Sequence, residues 1–202
     1  FFFQAEDGIR HISVWLEFRR VLFRSGVLGA GNVDIAAGAS FNVARTTDLL
    51  FMNSLQNAGD FRQTGTGMTS LMADSSMFTG KFFVDAGILQ VGNGTLAGNA
   101  GNVGSASKVV VTAPGVFRFN LTTDFINYTR VEGTGDYVQQ SAAVLTLGTS
   151  NPLFTGRAIV ANGVMEANAT GALSAAGLVD VKTRATFRLT GSDALGASSY
   201  GV

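Results

Sequence analysis

A gapless internal repeat of 76 residues constrains what this chain can fold into more than any other feature of it. Phe78-Thr79-Gly80 recurs as Phe154-Thr155-Gly156, and Val84, Gly87 and Leu89 recur as Val160, Gly163 and Met165. The same offset runs back towards the start. Val33, Ala37 and Phe41 align with Val109, Ala113 and Phe117, and Thr46-Thr47-Asp48 with Thr122-Thr123-Asp124. Gly59-Asp60-Phe61 aligns with Gly135-Asp136-Tyr137, and Gln63 with Gln139. A third copy opens near Val179, where Phe187-Arg188-Leu189 echoes Phe117-Arg118-Phe119 at an offset of 70, which implies a shorter loop around Ala169 to Gly177. The copies thus span residues near 33–108, 109–178 and, in part, 179–202. Long-period repetition of short segments is the signature of a stacked architecture, in which each unit buries its apolar face against the next.

Within a copy the pattern is β. Phe117, Phe119 and Leu121 alternate with Arg118 and Asn120, and Ser40-Phe41-Asn42-Val43 and Thr186-Phe187-Arg188-Leu189 repeat that period of two. Between the apolar runs sit Ala-Gly, Asn-Gly and Gly-Thr-Gly clusters, where the chain turns. Only Leu49 to Leu55 reads equally well as a helix, and its repeat counterpart, Phe125 to Tyr128, reads as a strand. Propeller blades repeat at roughly 40–50 residues with aromatic signatures such as Trp-Asp, and neither is present. Coils of about 20–25 residues fit instead, three to four to a copy. The prediction is an all-β chain folded as a right-handed parallel β-helix (a solenoid), truncated at both ends. Phe154 should be buried in it, so that Phe154→Ala costs about 3–5 kcal/mol, read as a lower denaturation midpoint.

Residues 1–25 stand apart. They hold the only His, the only Trp and 4 of the 14 basic residues. Glu6, Asp7, Glu17, Arg19, Arg20 and Arg24 break any apolar core of a signal peptide. Leu16 to Ser25, LEFRRVLFRS, is the translation of CTGGAGTTCAGACGTGTGCTCTTCCGATCT, and that string resembles a short-read sequencing adapter. Phe1 to Arg10 resembles the translated opposite end of the same adapter, with departures at His11 and Trp15. The segment is therefore expected to be non-native, with the β-helix repeat fragment spanning 26–202. That remainder carries 10 basic and 11 acidic residues and no His, Cys or Trp.

This inventory excludes much chemistry. A Ser-His-Asp or Cys-His system cannot be assembled from residues 26–202, nor can a zinc site built on His or Cys. Charged residues make up 14% of the chain at zero formal charge, which leaves no basic patch for nucleic acid. Gly65-Thr66-Gly67 lacks the Lys-Ser or Lys-Thr of a phosphate loop and reads as a corner. Carboxylates remain, with Asp60, Asp136 and Glu132 as the candidates for glycan chemistry, which needs two carboxyls roughly 5–10 Å apart. Because Asp60 and Asp136 are copied at both repeat positions, they read as structural residues bonding turn amides. The expectation is no catalytic, cofactor or metal residue.

The run Leu145-Thr146-Leu147-Gly148, Asn151, Phe154-Thr155-Gly156, Val160, Gly163, Met165, with its twin from Phe78 to Gly94, resembles the autotransporter-associated β-strand repeat of Gram-negative secreted proteins. The twin departs by carrying Ser75-Ser76 where the pattern has Asn. The resemblance implies a non-catalytic, adhesin-like passenger or stalk segment at the cell surface. It would be anchored at the outer membrane by a downstream translocator β-barrel of the same polypeptide, and would meet a host surface or glycan. The alternative is a carbohydrate-active β-helix of polysaccharide-lyase or hydrolase type, with a carboxylate groove on one face.

Overall fold

Strands of two to four residues separated by glycine-rich corners cannot form hairpins of useful length, but they can coil. In the computed structural model, which describes residues 20–26, 28–95 and 101–195, they do so. The described residues contain 19 strands and no helix, and every strand pairing is parallel. The result is a parallel β-solenoid of about eight turns.

Three faces make up each turn. The first stacks β1 (Arg20–Phe23), β3 (Ser40–Val43), β6 (Asp60–Gln63), β8 (Lys81–Val84), β10 (Lys108–Val111) and β13 (Val131–Gly133). The second stacks β4 (Leu49–Phe51), β7 (Met68–Leu71), β9 (Ile88–Val91), β11 (Val116–Phe119), β14 (Asp136–Gln139), β16 (Arg157–Val160) and β18 (Leu178–Val181). On the leg from second face back to first lie β2 (Val33–Asp34) with β5 (Leu55–Gln56), and higher up β12 (Phe125–Asn127), β15 (Val144–Leu147), β17 (Val164–Ala167) and β19 (Thr186–Leu189). That leg is the third face. The helix-or-strand ambiguity at Leu49 to Leu55 resolves as β4 and β5, two strands around a corner.

Alternation puts one side of every strand into the core. Phe23, Phe41, Phe61 and Phe82 form a ladder on the first face, with successive ring centroids 6.2, 5.8 and 5.5 Å apart. Phe117 stacks on Tyr137 at 5.5 Å on the second. Phe78 and Phe154 are both fully buried, as the repeat pattern requires. Four described residues of the compositionally distinct leader form β1, so an apolar alternation is enough to add a rung whatever its origin. Residues 1–19 and 196–202 lie outside the described structure.

The repeat does not equal a whole number of turns. Residues 76 apart sit on successive faces: β3 on the first face matches β11 on the second, and β4 on the second matches β12 on the third. Phe78 bridges to Asn57 on the third-face leg, whereas Phe154 bridges to Gly133, the last residue of the first-face strand β13. Each copy therefore spans three and one-third turns and is rotated by one face relative to the last. The shorter offset into the third copy comes from one leg. Residues 168–177 join β17 to β18 where residues 92–107 join β9 to β10, and the leg shortens without changing the rotation.

Candidate functional site

The carboxylates singled out by sequence are distributed, and Asp136 and Glu132 are each paired with a cation. Asp136 opens β14 on the second face and accepts a two-pronged bond from Arg157 one turn above, at 2.9 Å from Nε and 2.6 Å from Nη2. Asp60 opens β6 on the first face, with Lys81 above it in the same register that sets Arg157 above Asp136. Glu132, on the first-face strand β13, is buried and accepts from Lys108 Nζ at 2.6 Å, with Arg130 at 3.8 Å. Asp60 and Asp136 are not the turn-bonding residues expected of them. They head strands, and a cation one turn above occupies the outward register position beside each. The corner role belongs to Asp48 and Asp124, which the same repeat aligns: Asp48 Oδ1 accepts from the Met68 amide at 3.0 Å and Asp124 Oδ1 from the Val144 amide at 2.8 Å. Nothing in the sequence separated the two pairs, since all four aspartates recur.

Other duplicated polar residues bind backbone as well. Gln63 Nε2 donates to the Gly65 and Gly67 carbonyls at 2.9 and 2.8 Å, so the Gly-Thr-Gly run is a corner tied down from below. Gln139 makes the equivalent bonds to Ser141 and Ala143 at 2.9 and 2.7 Å. Asn151 Oδ1 accepts from the Val131 amide at 2.7 Å, and Ser75 Oγ accepts from the Leu55 amide at 3.1 Å. The serine that departs from the repeat pattern thus does the work of the asparagine.

An open groove of ≈ 420 Å³ follows the corner between first and second faces, past Pro114, Thr134, Asp136, Thr155 and Arg157. Its floor is a column of glycines. A Cβ at Gly156 would overlap the Gly135 carbonyl oxygen, just as one at Gly80 would overlap that of Gly59, which explains the invariant third residue of both Phe-Thr-Gly copies. The acid in this groove is held by Arg157, and no second carboxylate faces it among the lining residues. Among the described residues no three His, Cys, Asp or Glu side chains converge as a metal site would require.

Sequence reasoning passed over the surface. Among the described residues outside the end strands, the exposed large apolar side chains are Leu50, Met52, Met77, Ile126, Tyr128 and Leu153. These are three repeat-equivalent pairs, 76 residues apart: Leu50 with Ile126, Met52 with Tyr128, Met77 with Leu153. The signal was in the letters, as apolar residues recurring 76 residues apart, Leu50 and Ile126 within strands and the other four in the corners. Only the burial of the other face marks them as exposed.

The fold and this surface define a parallel β-solenoid in which four ion pairs, Arg62–Asp85, Lys108–Glu132, Arg157–Asp136 and Arg188–Glu166, join neighbouring turns. No family model, curated protein or solved structure matches the chain. No helix among the described residues is long and apolar enough to cross a membrane.

Proposed function

We propose that residues 26–202 are a non-catalytic scaffold segment of a Gram-negative autotransporter passenger, displayed at the cell surface as an adhesin-like stalk. The downstream partner is the outer-membrane translocator β-barrel of the same polypeptide, and the outward partner is a host surface or a glycan. The observation that carries the non-catalytic reading is the dispersal of the carboxylates. Asp136 and Glu132 each bind a cation on a neighbouring strand, and Asp60 lies on a different face from Asp136. A hydrolase or lyase would gather acids in one cleft. The autotransporter reading rests on the paired Phe-Thr-Gly modules, which in this fold supply a buried ring, a turn and a close approach to the preceding coil.

Recovering the complete reading frame tests the proposal. Ten or more alternating strands ending in an aromatic residue downstream would support it. A complete gene without such a barrel would overturn the autotransporter assignment, and release of product from polysaccharide by this chain would overturn the non-catalytic one.

A further inference from the structure

One of the three repeat-equivalent apolar pairs is unlike the others. Tyr128 is 70% exposed, yet one side of it is covered: a Cβ at Gly148, one turn above, would lie 2.7 Å from Tyr128 Cε1 and 2.9 Å from Ile126 Cγ2. The ring therefore rests on the bare backbone of Gly148 beside Ile126, with its outer side open to solvent. In the first copy the place of Gly148 is taken by Met72, and that of Tyr128 by Met52. Among the described residues the platform exists once.

A polar column rises from it. On the third face the outward register reads Ile126, Thr146, Glu166, Arg188 from turn to turn. Beside it run Tyr128, Gly148, Asn168 and Thr190, kept in step by the Gly148 and Asn168 amides bonding to Asn127 and Leu147. Glu166 accepts from Arg188 at 3.0 Å and from the Thr190 hydroxyl at 2.9 Å, and Asn168 donates to that hydroxyl at 3.2 Å. Two charges cancel, and the amide and the remaining guanidinium N–H groups stay on the surface. Rungs lie about 4.8 Å apart, close to the length of one hexose unit.

We propose that this face is a binding site for a neutral saccharide chain lying along the solenoid axis. One pyranose stacks its apolar side on Tyr128, and the hydroxyls of the following units meet Thr146, Asn168, Glu166 and Arg188. Three observations favour that ligand. An exposed tyrosine seated against a glycine backbone has only two side-chain torsions to fix, so it loses little entropy on binding. The neighbouring carboxylate and guanidinium neutralise each other, which suits hydroxyls rather than a charged polymer. The apolar part is two side chains, far short of the about 800 Å² per partner that a stable protein interface covers. The inference rests on the scaffold reading, in which the surface holds a glycan without cutting it.

Calorimetric titration of the whole chain with glucan and mannan hexasaccharides, with an acidic oligogalacturonate beside them, is the test. A neutral oligosaccharide should bind, and Tyr128→Ala should weaken it about tenfold, as loss of one desolvated aromatic anchor does. Tyr128→Phe should keep most of the affinity, Glu166→Gln should lower it, and Met52→Ala, at the repeat-equivalent position, should leave it unchanged. Both ends of the comparison are surface residues, so folding is checked by an unchanged denaturation midpoint. No binding by any neutral sugar, equal binding by the Tyr128→Ala variant, preference for the acidic chain, or self-association abolished by that variant would each overturn the site. Chain shortening of the sugar would instead overturn the scaffold reading on which it rests.

Discussion

Asn151 and Ser75 show how much freedom one repeat position has. Asn151 is buried, and besides accepting from the Val131 amide it donates to the Ala172 and Thr149 carbonyls at 2.8 and 3.2 Å. Ser75 keeps only the acceptor role towards the turn below, and Asn102 Oδ1 takes up the Ser75 amide at 3.0 Å. Asn151→Ala should therefore cost about 1–3 kcal/mol, the penalty for stranding a buried amide, and Asn151→Ser should recover part of it. Urea midpoints of the three proteins decide the order. Tyr137 gives a pH dependence. Its phenol is fully buried beside Phe117, and burial holds its pKa well above the ordinary value against the opposing bond from Asn127. An unfolded tyrosine ionises near pH 10, so below that both states keep the proton and the contribution is constant. Above it only the unfolded chain gives the proton up, and stability falls as pH rises. The Tyr137→Phe variant should lose a pH-independent amount and show a flatter decline between pH 9 and 11 (about one unit either side of the unfolded value); an unchanged slope would mean the phenol ionises in the fold.

At the scale of strands and corners, the repeated aspartates act one turn at a time. Removing the side chain in Asp124→Ala frees the half-exposed Val144 amide to water, so the cost should be modest, about 0.5–1.5 kcal/mol. Asp48→Ala should match it, because Met68 stands to Asp48 as Val144 does to Asp124. The two sites share no partner, so the double variant should be additive to within about 0.5 kcal/mol, and a larger coupling in denaturant melts would show that corners communicate along the coil. Much of this level was legible in the sequence. Alternation in Phe117 to Leu121 marked the strand, the Phe-Thr-Gly copies marked a buried ring and a tight corner, and Leu49 to Leu55, ambiguous by itself, had a counterpart in Phe125 to Tyr128 that reads as a strand. What sequence could not separate was Asp60 from Asp48. Both recur at the same period, and only the coil decides which one accepts from a turn amide and which one heads a strand opposite a lysine. Tyr128 was illegible for a similar reason: an aromatic at an alternating position reads as core until Asn127 is seen to take the inward place.

At the scale of the molecule the repeat length and the coil length disagree, and the disagreement fixes what the surface can present. A period of three and one-third turns carries every outward feature one face round at each copy, so Leu50 and Ile126 point in different directions although the sequence calls them equivalent. The repeat alone could not reveal this, because the number of residues per turn varies from 20 between Phe41 and Phe61 to 27 between Phe82 and Val109. A ligand reading one face would meet an equivalent patch again only after three copies. Because the chain has no cysteine, paired spin labels measure the rotation directly. Labels at Met52→Cys and Asn120→Cys, which the register places three turns apart on one corner, should sit about 14 Å apart along the axis. Labels at Met52→Cys and Tyr128→Cys, the repeat-equivalent pair, should be about 22 Å apart, since a face width of roughly 15 Å is added to the rise. If the second distance came out no longer than the first, repeat-equivalent residues would share a face, and the three-way display of surface features along the solenoid would be wrong.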